Sequence, residues 1–149
     1  MKLFLIFSTI TSIYGAAFSP AELGKQLIDC TRKNDLPGVQ RLLQDPQLPS
    51  FIDFKDTSNN ESGYPKYGYQ KSGNTALHKA ASRGYTAIVT ELLSHEANKD
   101  CQNTRGYTPL SKAVRGGNIR TLETLLRAKA NLNIANVEGQ TPLHMAAIH

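Results

Sequence analysis

Cys30 and Cys101 are the only cysteines in a chain of 149 residues, too few for the disulfide framework that staples small domains in oxidising compartments. Tryptophan is absent and charge is modest, so the composition reads as one soluble globular domain's worth of chain. The formal net charge of +5 is too small to imply a nucleic-acid partner unless it is concentrated in one place. The histidines His78, His95, His144 and His149 include no i, i+4 pair of the kind that holds a metal on a helix, and no cysteine pair has zinc spacing. A nucleophile elbow, a phosphate loop and a dinucleotide fingerprint are all missing. Serines and threonines are plentiful, but no spacing singles one out. No enzyme signature results, and neither a catalytic residue nor a cofactor or metal is expected.

Long apolar runs are also missing, with one partial exception at the start. Lys2 supplies a short positive region, Leu3 to Tyr14 is apolar but diluted by Ser8, Thr9, Thr11 and Ser12, and Gly15, Ala16 and Ala17 are small. This is the three-part layout of a secretory signal peptide over residues 1–17, with cleavage expected after Ala17. The stretch falls short of the ~20 apolar residues needed to span a bilayer. The expected location is therefore exported, secreted or periplasmic, without a stable membrane span after cleavage. An uncleaved N-terminal anchor or an ordinary buried helix is the other reading.

What the chain has in abundance is repetition. Thr75, Thr108 and Thr141 stand 33 residues apart, opening Gly-Asn-Thr-Ala-Leu-His, Gly-Tyr-Thr-Pro-Leu-Ser and Gly-Gln-Thr-Pro-Leu-His. Gly73, Gly106 and Gly139 keep the interval, as do Leu92/Leu125, Leu93/Leu126 and Ala97/Ala130. A fixed period of this length means that one supersecondary unit is copied and stacked. Each threonine is suited to cap a helix, and Pro109 and Pro142 take the preferred first helical position. Leu77, Ala80 and Ala81 give a narrow apolar face, with alanines small enough for close helix approach. Gly84 and Gly117 end the first helices of their copies at a left-handed position. Second helices follow with Ile88, Val89, Leu92 and Leu93, then Leu122, Leu125 and Leu126. Asn118 is a good cap for one of them, and Thr86 is expected to replace Tyr85 as cap of the other.

At these residues the chain resembles the ankyrin repeat family. The resemblance implies an all-α solenoid of stacked helix-turn-helix units with projecting loops, and a function in binding other proteins. It also implies that His78 and His144 are structural, hydrogen-bonding between loops and adjacent repeats. Glu96 and Lys129 stand where the family usually has glycine, which puts left-handed geometry at those turns in question. By register Cys30 falls on an inner helix and Cys101 in a loop, too far apart for a disulfide.

Upstream the pattern persists in divergent form. Ser19-Pro20-Ala21-Glu22 reads as a capping box. Leu27 and Cys30 align with Leu77 and Ala80, Asn34 with Gly84, and Val39, Leu42 and Leu43 with Val89, Leu92 and Leu93. The expected units are a divergent capping repeat over 18–56, an insertion over 57–72, full repeats over 73–105 and 106–138, and a truncated repeat over 139–149. Lys25, Asp29, Arg32 and Lys33 suit a terminal repeat whose outer face meets water. From Asp56 to Gly73 there are seventeen steps, where Asn103 to Gly106 takes three. The inserted residues are polar and turn-forming but include Tyr64, Tyr67 and Tyr69. They read either as a passive surface loop or as an elongated binding finger. Tyrosines beside lysines also suit base stacking, but no recognition helix or continuous basic groove accompanies them, so nucleic acid is not expected.

The binding surface implied by the family is its concave face of loop tips and inner-helix ends. By register this comprises Asn74, Ser82, Arg83, Gln102, Thr104, Arg105, Tyr107, Arg115, Glu138 and Gln140, with Val137 and Gly116. Arg83, Arg105, Arg115 and Tyr107 are expected to form a ridge of residue types enriched at interface cores. Residues 104–129 hold six basic residues against Glu123 alone, which reads either as solvated helix surface or as a patch selecting an acidic partner. The chain stops within the first helix of its third clear copy, so Leu143, Met145 and Ile148 are expected to be partly uncovered, open to a partner or to self-association. The function expected is an exported scaffold for an unidentified protein partner. The alternative is the N-terminal docking piece of a longer exported enzyme or membrane protein.

Overall fold

The computed structural model describes residues 18–57 and 72–147. Within them lie eight helices: α1 (Pro20–Arg32), α2 (Leu36–Leu43), α3 (Leu48–Phe51), α4 (Ala76–Arg83), α5 (Thr86–Ser94), α6 (Pro109–Arg115), α7 (Ile119–Arg127) and α8 (Pro142–Ala146). No strand occurs among the described residues. The inner layer runs α1, α4, α6, α8, each packed on the next; the outer layer runs α2, α5, α7, and each outer helix returns against its own inner partner. The result is an all-α solenoid. Short α3, packed on α1, was not anticipated in the sequence.

The repeated threonines start the inner helices. Thr75, Thr108 and Thr141 have extended backbones, and their hydroxyl oxygens accept from the amides of His78, Ser111 and His144. At Thr75 and Thr141 the histidine Nδ1 accepts from the threonine amide in return. Two orphan amides are thus satisfied at each of these ends. The inner helices then bring buried Leu77 and Leu110 to the core while Ala80, Ala81 and Ala113 are fully covered at the crossings. From the outer layer Val39, Val89, Leu92 and Leu125 are fully buried, each aliphatic side chain contributing about 1.5–3 kcal/mol.

Several local expectations are corrected. Asn118 does not cap α7; its Nδ2 donates to the carbonyls of Ala81 (2.9 Å) and Ser82 (3.0 Å), tying one repeat to the end of the preceding inner helix. Thr86 does not cap α5 either, and its hydroxyl meets that of Thr121 at 2.8 Å across the outer layer. At Ser19 one half of the capping box is present, the hydroxyl accepting from the Glu22 amide. Arg32 is not simply solvated, since its guanidinium lies 2.8 Å from the Asp56 carboxylate. Glu96 and Lys129 do take left-handed backbones, with φ 64° and 60°. The compensation is visible: the amides of Ala97 and Ala130 each reach back 3.0 Å to the carbonyls of Leu92 and Leu125, satisfying ends that would otherwise be orphaned. Met145 is buried rather than uncovered, whereas Leu143 is 74% exposed; Ile148 lies outside the described residues.

Each loop closes as a tight hairpin around one residue. Asn103 donates its amide to the Tyr107 carbonyl and accepts from Gly106 on its own carbonyl, both at 3.0 Å; Asn136 does the same with Gln140 and Gly139 at 2.9 and 3.0 Å. Asp56 makes the same pair, with Asn74 at 2.8 Å and Gly73 at 3.0 Å. The backbone bonds on either side of the insertion therefore match those of the other two hairpins. Neighbouring hairpins are laced together: Ser72 accepts from the Thr104 hydroxyl (3.0 Å), and Arg105 accepts from the Val137 amide (3.1 Å).

Candidate partner-binding cleft

Where the hairpin tips meet the ends of α4 and α6, the concave side holds a cleft of ≈ 220 Å³ lined by Ser72, Asn74, Ser82, Asn103, Thr104, Arg105, Tyr107, Lys112, Arg115 and Gly116. Tyr107 is its floor. The hairpin bond to Asn103 fixes the Tyr107 backbone, and the Asn103 side-chain oxygen accepts from the Tyr107 amide at 3.0 Å. Over the Tyr107 ring stand two cations from successive turns of α6, Arg115 at 4.8 Å and Lys112 at 5.7 Å from the ring centre. The ring's negative face offsets part of the repulsion between them.

Lys112 is the unusual member. Burial pushes its pKa down to about 8, and the positive charges of Arg115, Arg105 and Lys79 add to the effect. Its counterpart one repeat earlier is in a different situation. Lys79, equally placed on α4, is buried and 2.8 Å from the carboxylate of Asp56, the pivot of the hairpin before its helix. At the matching pivot before α6 stands Asn103, a neutral amide that lines the cleft with Lys112. The lysine is thus paired with a carboxylate in one repeat, and in the next an amide stands at the matching hairpin position.

Of the residues singled out in the sequence, the cleft gathers Asn74, Ser82, Thr104, Arg105, Tyr107 and Arg115. Arg83 is exposed at the end of α4 and is not part of the lining, so the expected four-membered ridge is reduced to Arg105, Arg115 and Tyr107. Gln102 belongs to the framework: its Nε2 donates to the carbonyls of Gly106 and Ala135, both at 3.0 Å, joining two hairpins. Gln140 likewise closes the last hairpin through Asn136 (2.8 Å), and Glu138 sits exposed at that hairpin's tip. Tyr64, Tyr67 and Tyr69 lie outside the described residues. The sequence marks Lys112 only as one of the six basic residues of 104–129, and it does not single out Asn103 or Ser72, which also line the cleft.

One other cluster has the residue types of chemistry but not its state. The Cys101 thiol lies 3.7 Å from both His78 Nδ1 and the Thr75 hydroxyl. Burial raises its pKa to about 11, and burial lowers that of His78 to about 4. Neither a thiolate nor an imidazolium forms near neutral pH, and the His78 Nδ1 is already accepting from the Thr75 amide at 3.2 Å. This is the reverse of an activated cysteine. Cys30 and Cys101 are both free. Among the described residues no group of three or more His, Cys, Asp or Glu is placed to hold a metal ion, and no helix is long and apolar enough to cross a membrane.

The family model for ankyrin repeats (3 copies) matches residues 27–136 and 97–149, most of the chain. The chain belongs to the ankyrin repeat family. No curated protein matches it. Ankyrin repeats are generally scaffolds for protein–protein interaction and typically non-catalytic, which accords with a cleft offering cations, hydroxyls and an aromatic floor. In this ankyrin-repeat chain Ser72, just before the hairpin residue Gly73, is one of the residues lining the cleft.

Proposed function

We propose that this chain is a non-catalytic scaffold that holds an acidic segment of a partner protein in the concave cleft floored by Tyr107. The observation that carries the reading is the gathering of Arg105, Lys112 and Arg115 in one cleft with Tyr107, two of them over its ring, with no Asp or Glu among the described lining residues. Arginine and tyrosine are the residue types that anchor interfaces, and clustered positive charge speeds and selects the encounter with an acidic surface. Affinity capture with the full chain tests it. Arg115→Glu is expected to abolish retention of the partner, while Arg83→Glu, outside the cleft, leaves it within about twofold of wild type. Equal retention by wild type and Arg115→Glu would contradict the cleft assignment.

The proposal includes export. Residues 1–17 have the layout of a cleavable signal, and a fold without disulfides suits an oxidising compartment as well as a reducing one. N-terminal sequencing of the protein recovered from an exporting host is expected to begin at Phe18; a chain that keeps Met1 inside the cell would contradict this part.

A further inference from the structure

Lys79 and Lys112 hold the same register on α4 and α6, but their surroundings differ. Lys79 is buried, and its ammonium lies 2.8 Å from the Asp56 carboxylate. Lys112 is half-buried and lines the cleft, 5.7 Å from the centre of the Tyr107 ring, with Arg115 4.8 Å from the same centre. The charges acting on Lys112 come from three elements and share one sign. They are Arg115 on its own helix, Arg105 in the hairpin before it, and Lys79 on α4, itself paired with Asp56. Tyr107, the other titratable group in the lining, sets its ring against the ammonium. Burial first, and then these like charges, hold the Lys112 pKa down at about 8. A lysine desolvated beside other cations, with open space at its nitrogen, is an activated nucleophile.

We propose that Lys112 is a reactive amine and a modification site, taking an acyl group from a small thioester that enters the cleft. The lone pair of the neutral amine attacks the thioester carbonyl carbon. A C–N bond forms, the C–S bond breaks, and sulfur leaves as thiolate with the bonding pair. The surplus amine proton passes to that thiolate, so the products are an amide at Nζ and a free thiol. No oxidant or reductant is required. The ≈ 220 Å³ of the cleft accommodates an acetyl-sized group. Acylation also removes one positive charge from the cluster, relieving the repulsion that activates the amine. The inference goes beyond the scaffold reading, since the reaction needs no partner protein.

The test treats the full chain with limiting S-acetyl-N-acetylcysteamine and follows each lysine by peptide mass mapping between about pH 6 and about pH 10. At about pH 7.5 Lys112 is expected to be acetylated about tenfold faster than exposed Lys33 and Lys129. Its rate is expected to level off above about pH 8, where the amine is already neutral. Arg115→Gln changes an exposed residue and removes the like charge that weighs most on Lys112. It is expected to slow Lys112 about threefold and to move the levelling-off to higher pH, with Lys33 and Lys129 unchanged. An unchanged or faster rate in that variant, as a merely shielding arginine would give, overturns the proposal. Asn103→Asp puts a carboxylate at the hairpin position that Asp56 holds, and is expected to bring Lys112 down to the rate of the exposed lysines. Lys112 reacting no faster than Lys33 and Lys129 in wild type overturns the proposal, as does a rate still rising at about pH 10. Capture of a partner plays no part in these measurements, so their failure and the failure of the scaffold reading are separate results.

Discussion

His78 Nε2 lies 2.8 Å from the carbonyl oxygen of Tyr107, a bond between the inner helix of one repeat and the hairpin of the next. The Thr75 amide donates to His78 Nδ1 at 3.2 Å, so the ring's proton is on Nε2 and is donated to Tyr107. The same imidazole therefore closes a helix start and fixes the floor of the cleft.

The burial of this ring makes stability depend on pH in a defined direction. Burial lowers the His78 pKa from 6.5 to about 4. Between those values the unfolded chain binds the proton and the folded one does not, so stability rises with pH. The contribution is fully present above the unfolded value and fades as pH falls toward the folded one, about 3 kcal/mol across the window. Urea unfolding at about pH 7 and about pH 5 is expected to differ by ~2 kcal/mol more in wild type than in His78→Gln. An unchanged difference in the variant would show that His78 is not the group responsible.

A second stability test concerns the pair at the base of the insertion. Asp56 neutralises buried Lys79 at 2.8 Å. Asp56→Asn leaves that ammonium without its carboxylate and is expected to destabilise by about 3–5 kcal/mol. Lys79→Met removes the stranded charge, so the double variant is expected to recover most of the loss in chemical denaturation. Additive losses would mean that the two side chains do not act as a pair.

The hairpin glycines separate conformational strain from crowding. Gly106 and Gly139 have nearly equal φ, 75° and 76°, but a Cβ at Gly106 would meet the Asn136 Cα at 2.9 Å and the Val137 amide at 2.9 Å, while one at Gly139 meets nothing within 4 Å. Gly139→Ala is expected to cost about 1 kcal/mol from the left-handed backbone alone. Gly106→Ala is expected to cost more than twice that, because backbone of the next hairpin must move. Equal melting temperatures for the two would remove crowding from the account.

The repeating threonines, prolines and leucines made the helix pairs and their stacking legible in the sequence, since each acts within its own repeat. What was not legible depends on which repeat a side chain turns toward. Asn118 has the chemistry of a cap, but Ala81 and Ser82 of the preceding repeat offer it carbonyls. Gln102 falls on the concave register, yet its amide is used between two hairpins. Arg83 and Arg115 sit close in register, and only Arg115 turns over Tyr107. Glu96 and Lys129 show that a backbone bond to the preceding helix suffices to hold a left-handed turn without glycine. Lys79 and Lys112 share a place on their helices, and what separates them is that Asp56 and Asn103 hold the same place in the two hairpins before those helices.

The most direct test of the central claim is a hydrogen-exchange footprint of the full chain with and without the protein it retains. Binding in the cleft predicts protection of backbone amides over 72–75 and 103–116, with the outer helices α5 and α7 unchanged. Protection confined to α5 and α7, with residues 103–116 exchanging as in the free chain, would contradict it.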